Sequence, residues 1–111
     1  MKDSLEPLAL KVTVNGRLPA VARVSGELDL ATGPVLTAAL ADVQDGDVVL
    51  DCSDLSFIDA TGLRAFQIAQ QACRARGAKL VLVDPSPALE RLLKMVGLDT
   101  AFPVQQEEEA S

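Results

Sequence analysis

The chain has 111 residues, of which 49% are hydrophobic and 23% charged, with a formal net charge of −6 and no histidine. This length and composition are typical of one globular domain with a single core. The acidic balance excludes nucleic acid and anionic membranes as partners, because binding to either needs clustered Lys and Arg. Without histidine, Ser-His-Asp and Cys-His catalysis are excluded as well.

Apolar periodicity predicts alternating strands and helices from Leu8 onward. In chain order, the predicted elements are strands over 8–14 and 20–25, a helix over 33–43, a strand over 48–50, a helix over 61–76, a strand over 79–83, a helix over 87–96 and an edge strand over 100–104. Residues 51–57 are predicted to be a loop. The order predicts a single α/β domain, in which three to four helices pack on a mixed sheet of four to five strands.

Turn residues and the chain ends complete this outline. Asn15-Gly16 predicts a hairpin between the first two strands, and Ser86 is predicted to cap the last helix. Residues 1–7 are predicted to be a flexible N-terminus, and 105–111 an acidic disordered tail. The domain itself is then expected to span 8–104.

The cysteines and loop aspartates raise the question of a metal or catalytic site. Cys52 and Cys73 lack zinc-ligand spacing, so we predict two buried thiols in a reducing cytosol. Asp51, Asp54 and Asp59 offer carboxylates for Mg²⁺ or for acid–base chemistry, but solvated loop charges are the favoured interpretation because no ordered ligand spacing is present. We therefore predict no metal, no cofactor and no catalytic residue.

The segment DLSFIDATGLRAF, residues 54–66, is the most unusual part of the sequence. Asp59 or Thr61 can cap the helix that begins there, and Gly62 permits a close approach of backbone or partner. Such a helix start offers free N–H groups and the positive end of the helix dipole. From the residues alone, the segment is either a capped helix start or a functional site.

The pieces GELDLAT (26–32), VVLDCSDLSFIDATGLRAF (48–66) and KLVLVDPSPALERLLKMVGLDTAF (79–102) together resemble the STAS domain of bacterial anti-sigma-factor antagonists. The likeness runs from about Leu8 to Val104 in the right order, and the predicted element order agrees with the STAS fold. The resemblance implies a cytoplasmic regulator that is not an enzyme. Its partner would be an anti-sigma factor that is also a serine kinase, and binding would release the sigma factor.

The resemblance further implies a phosphorylation switch, in which the kinase ends binding and a phosphatase restores it. In the family, the phosphorylated serine directly follows the aspartate, and this position is Ala60 here. Thr61 is the hydroxyl that remains in the motif, about 100° further around the helix, and is the candidate phosphoacceptor. Ser56 precedes the motif and is predicted to form a hydrogen bond in a loop.

Glu27 and Asp29 of the GELD element correspond to family positions near the switch. From the residues alone they form a polar turn between strand and helix, with Asp29 or Thr32 as a cap. The predicted partner-binding residues are Asp29, Asp59, Ala60, Thr61, Gly62 and Arg64.

Three alternatives stay open from the sequence. Ala60 is compatible with an unphosphorylated STAS protein that always binds or serves as a scaffold in a signalling assembly. The same fold occurs in cytoplasmic accessory subunits of membrane transporters. A hydrolase using Asp51, Asp54 or Asp59 is the third.

Overall fold

The computed structural model describes residues 9–16 and 18–106. Its elements are β1 (Leu10–Val14), β2 (Ala20–Leu28), α1 (Gly33–Leu40), β3 (Val48–Ile58), α2 (Ala60–Ala75), β4 (Leu80–Val83), α3 (Pro87–Met95) and β5 (Val104–Gln105). The strands form one sheet in the order β1-β2-β3-β4-β5, in which β1 is antiparallel to β2 and the other neighbours are parallel. The predicted α/β fold with a mixed sheet is confirmed, with five strands and three helices.

The predictions for the chain ends fall largely outside the described residues. These are the flexible N-terminus at 1–7, the first predicted strand residue, Leu8, and the end of the acidic tail at 107–111. The edge strand predicted over 100–104 is instead β5, and its pairing of Gln105 with Val83 places the first residue of the predicted tail in the sheet.

The loop predicted over 51–57 is wrong, because β3 continues through it to Ile58. The register of β3 against β2 shifts twice, at Arg23–Ser25 and again at Gly26–Glu27. Each shift inserts one extra residue into β3 as a β-bulge, which interrupts the regular alternation of buried and exposed side chains. Residues 53–54 are consequently exposed in succession, a pattern that is typical of a loop.

Smaller corrections concern where the elements end. β2 runs to Leu28, so Glu27 is an exposed strand residue and not part of a turn. α1 ends at Leu40, three residues before its predicted end, and α2 begins at Ala60, one residue before its predicted start. The predicted β1–β2 hairpin is present, with Asn15 Oδ1 accepting a hydrogen bond from Val21 N at 2.9 Å.

The core lies between the sheet and the helices and contains the predicted apolar face of α2. Phe66 is fully buried and meets Phe102 edge to face, with 6.2 Å between ring centroids and an interplanar angle of 78°. Cys52 and Cys73 are buried free thiols, as predicted. Burial, with a smaller contribution from the charge of Asp51, raises the pKa of Cys52 to about 12, so its thiol stays protonated at neutral pH. The buried face of α2 thus packs against the sheet, while Ala60 and Thr61 at its start stay exposed.

Candidate partner-binding site

Asp59 caps the first turn of α2. Its Oδ1 accepts hydrogen bonds from the Thr61 hydroxyl at 2.7 Å and from Gly62 N at 2.8 Å. Of the two predicted cap residues, Asp59 is therefore the N-cap, whereas Thr61 is the second helical residue and supports the cap through its side chain. The bond from Thr61, followed by that from Gly62, lowers the pKa of the Asp59 carboxyl group.

Gly62 brings this helix start against the end of β2. A Cβ atom at Gly62 would overlap the carbonyl oxygen of Leu28 and would lie 3.1 Å from Asp29 N. Asp59 N also donates a hydrogen bond to Leu28 O at 3.3 Å. The close approach predicted from Gly62 is thus a contact between the backbone of α2 and the backbone of Leu28 and Asp29. It places Asp29 beside the start of α2.

The loop between β2 and α1 is closed by hydrogen bonds around Asp29. Its Oδ1 accepts from Ala31 N at 3.0 Å and from Thr32 N at 3.1 Å. In return, Asp29 N donates to the Thr32 hydroxyl at 2.9 Å. Thr32 is the N-cap residue of α1 by position but its side chain makes no cap bond to the helix, so both residues order the loop instead.

A shallow groove of about 320 Å³ separates α1 from α2 beside this loop. It is lined by Asp29, Leu30, Gly33, Pro34, Thr37, Thr61, Arg64, Ala65 and Ile68. Leu30 is 77% exposed and Ile68 is 46% exposed. Sequence reasoning missed both side chains, although an apolar residue directly after the GELD element and another one turn beyond Arg64 on the outward face of α2 were signals that were available.

The structure gathers the six predicted partner-binding residues at one end of the molecule. Ala60 and Thr61 are exposed in the first turn of α2, and Arg64 is exposed one turn later on the rim of the groove. Ser56 lies in β3 and not in a loop, and its hydroxyl donates to Gly26 O at 3.0 Å.

The family of the chain follows from its similarity to known proteins. The family model of the STAS domain matches residues 9–111. The chain belongs to the STAS domain family. It is 35% identical over 88 residues to the anti-sigma-B factor antagonist of Listeria monocytogenes, covering 77% of each chain. The anti-sigma F factor antagonist of Paenibacillus polymyxa is 28% identical over 92 residues, which is 79% of each chain.

A solved structure supports the assignment of this STAS domain. The crystal structure of an anti-sigma factor antagonist from Mycobacterium paratuberculosis has a TM-score of 0.72 and 26% identity to this chain, covering 90% of this chain and 88% of that one. The STAS fold expected from the sequence pieces is therefore confirmed.

The described part of the STAS domain contains neither a cluster of metal ligands nor a membrane-spanning helix. In residues 9–16 and 18–106, no three or more acidic, cysteine or histidine side chains converge as ligands for a metal ion. Asp51 instead lies 3.4 Å from Arg23 Nε and accepts a hydrogen bond from the Ser53 hydroxyl at 2.8 Å. None of the described helices has both the length and the apolar content needed to cross a membrane.

Replacing the cap residue of the STAS domain is expected to lower stability in a pH-dependent way. Since the pKa of Asp59 is lowered by folding, its stabilisation is present at neutral pH and is lost as the pH falls below about 4. Asp59→Ala should therefore lower the melting temperature by a few degrees at neutral pH and by less at acidic pH. Thermal unfolding followed by circular dichroism measures both values.

Asp42→Ala provides the control, because Asp42 is exposed and makes no hydrogen bond or ion pair in the described part of the chain. It should leave the melting temperature nearly unchanged at both pH values. Equal losses for the two variants at neutral pH would contradict the assigned role of Asp59.

Proposed function

We propose that this protein is an anti-sigma-factor antagonist, a cytoplasmic binding protein rather than an enzyme. It binds an anti-sigma factor of the serine-kinase type through the Asp59–Gly62 motif and so releases the sigma factor. The single observation that carries the proposal is the pair of exposed residues Ala60 and Thr61 at the start of α2, a helix start that is capped by Asp59 and packed on the end of β2 beside an apolar groove. The names of the Listeria and Paenibacillus relatives support the same function.

Phosphorylation of Thr61 is the proposed regulation. The kinase transfers the γ-phosphoryl group of ATP to Thr61 Oγ1, the hydroxyl proton is lost and ADP leaves. This replaces the hydroxyl that donates to Asp59 Oδ1 at 2.7 Å by a phosphate of about −1.5 to −2 charges. The phosphate removes the bond from Thr61 to Asp59 and lies beside that carboxylate, but the helix N-terminus favours negative charge and Gly62 N still donates to Asp59, so the helix persists. The added bulk and charge repel the partner surface. Hydrolysis of the phosphate ester by a phosphatase restores binding.

A second candidate is an antagonist that binds without any such switch. Ala60 presents a methyl group where the family resemblance implies the phosphorylated hydroxyl, and the Thr61 hydroxyl is occupied by its bond to Asp59. Both features favour a STAS protein that stays competent to bind at all times.

The test combines binding with phosphorylation. Each serine-kinase-type anti-sigma factor of the same genome is purified, and its affinity for this chain is measured by calorimetry. The mass of the chain is then measured by mass spectrometry after incubation with the anti-sigma factor and ATP. We expect one of them to bind and to release its sigma factor. Binding to none of them contradicts the proposed function.

Two variants separate the switch from constitutive binding. A gain of one phosphoryl group that disappears in Thr61→Val supports the switch. Phosphorylation of Ala60→Ser by a kinase that leaves the natural chain unmodified supports constitutive binding. That result would show that the kinase is active but does not use any hydroxyl of the natural motif.

A further inference from the structure

The groove between α1 and α2 contains two exposed aliphatic side chains. Leu30, at 77%, is more exposed than Ile68, at 46%, and the two line the same groove. Its floor is made of small residues, since a Cβ at Gly33 would lie 3.9 Å from the Cβ of Ala65. Clustered exposed aliphatic side chains mark interaction sites more often than single ones do.

The charges around the groove are unusual for a protein with a net charge of −6. α1 carries no charged residue, and α2 carries Arg64 and Arg74 but no acidic residue. Arg64 lies on the rim and has no ion-pair or hydrogen-bond partner among the residues that the structure describes. Asp29, the acidic residue that lines the groove, already accepts two backbone N–H groups.

The groove is also continuous with the motif at the start of α2, because Thr61 lines it together with Arg64. A partner that binds the Asp59–Gly62 motif can therefore contact the groove through one continuous surface.

We propose that the groove receives an apolar side chain from an amphipathic helix of the anti-sigma factor, and that a neighbouring Asp or Glu of that helix pairs with Arg64. This rests on the proposed function, which supplies the partner. An amphipathic helix fits because it presents apolar and acidic side chains one turn apart, and grooves between helices bind such segments. Leu30 and Ile68 would supply apolar contact area, and Arg64 would select acidic partners over basic ones.

The test measures the affinity of four variants for the anti-sigma factor that binds the natural chain. Ile68→Ser and Arg64→Glu are each expected to weaken binding about tenfold or more. Val21→Ser is the apolar control, since Val21 is exposed in β2 outside the groove, and Arg74→Glu is the charge control on the same helix. Both controls should bind within about twofold of the natural chain.

Salt dependence tests the charge pairing separately. The affinity of the natural chain should fall as salt rises, and Arg64→Gln should reduce this dependence. Unchanged affinity in both groove variants, with binding of the natural chain intact, overturns the groove assignment and leaves the proposed function standing. If the natural chain binds no anti-sigma factor, the proposed function fails and the groove assignment fails with it.

Discussion

Gly62→Ala is expected to lower the free energy of unfolding by about 3 kcal/mol. The added methyl group would overlap the carbonyl oxygen of Leu28, which is backbone in the buried end of β2 and has little freedom to move. The first turn of α2 would have to shift away from the sheet and would weaken the bond between Asp59 N and Leu28 O. Urea unfolding measures the loss.

Gly33→Ala is the matched control, because Gly33 is also a buried glycine in the first turn of a helix. Beyond its chain neighbours, its added Cβ would meet only Ala65 among the described residues, at 3.9 Å, an ordinary van der Waals distance, although Pro34, which follows, disfavours a Cβ in the helical conformation. This variant should lose clearly less stability than Gly62→Ala does. A loss below about 1 kcal/mol in Gly62→Ala would mean that the helix start can retreat from Leu28 at little cost.

Ala60→Glu is expected to weaken binding of the anti-sigma factor about 100-fold or more without unfolding the protein. Residue 60 is exposed at the first position of α2, where the helix dipole favours a carboxylate. The new charge would lie beside Asp59 and would be desolvated by a partner fitted to a methyl group, a mismatch that costs several kcal/mol. Calorimetric titration gives the affinity, and a melting curve verifies the fold.

Ala60→Gln separates charge from bulk, since it has nearly the same shape as the glutamate variant. We expect it to weaken binding less than Ala60→Glu does. Equal losses would assign the effect to size alone, and unchanged binding in both variants would place residue 60 outside the interface.

The order of elements was predictable because regular apolar spacing marks most of them, as in β4 and α3. The start of β3 was predictable as well, but its continuation over 51–58 was not, since the two inserted residues break the alternation on which strand prediction depends. The cap at Asp59 and the close approach at Gly62 are local features and could be predicted from the motif. The groove could not, because Leu30 and Ile68 become neighbours only when α1 packs on α2.

The two bulges in β3 also decide which way the motif faces. Leu50 pairs with Ala22 and Ile58 pairs with Leu28, so eight steps along β3 match six along β2. An even number of extra residues restores the original parity, which returns Ile58 to the core side and lets the chain turn outward at Asp59. One bulge alone would invert that parity and direct the motif toward the interior. Length variation in this strand is therefore compatible with the site only in steps of two residues.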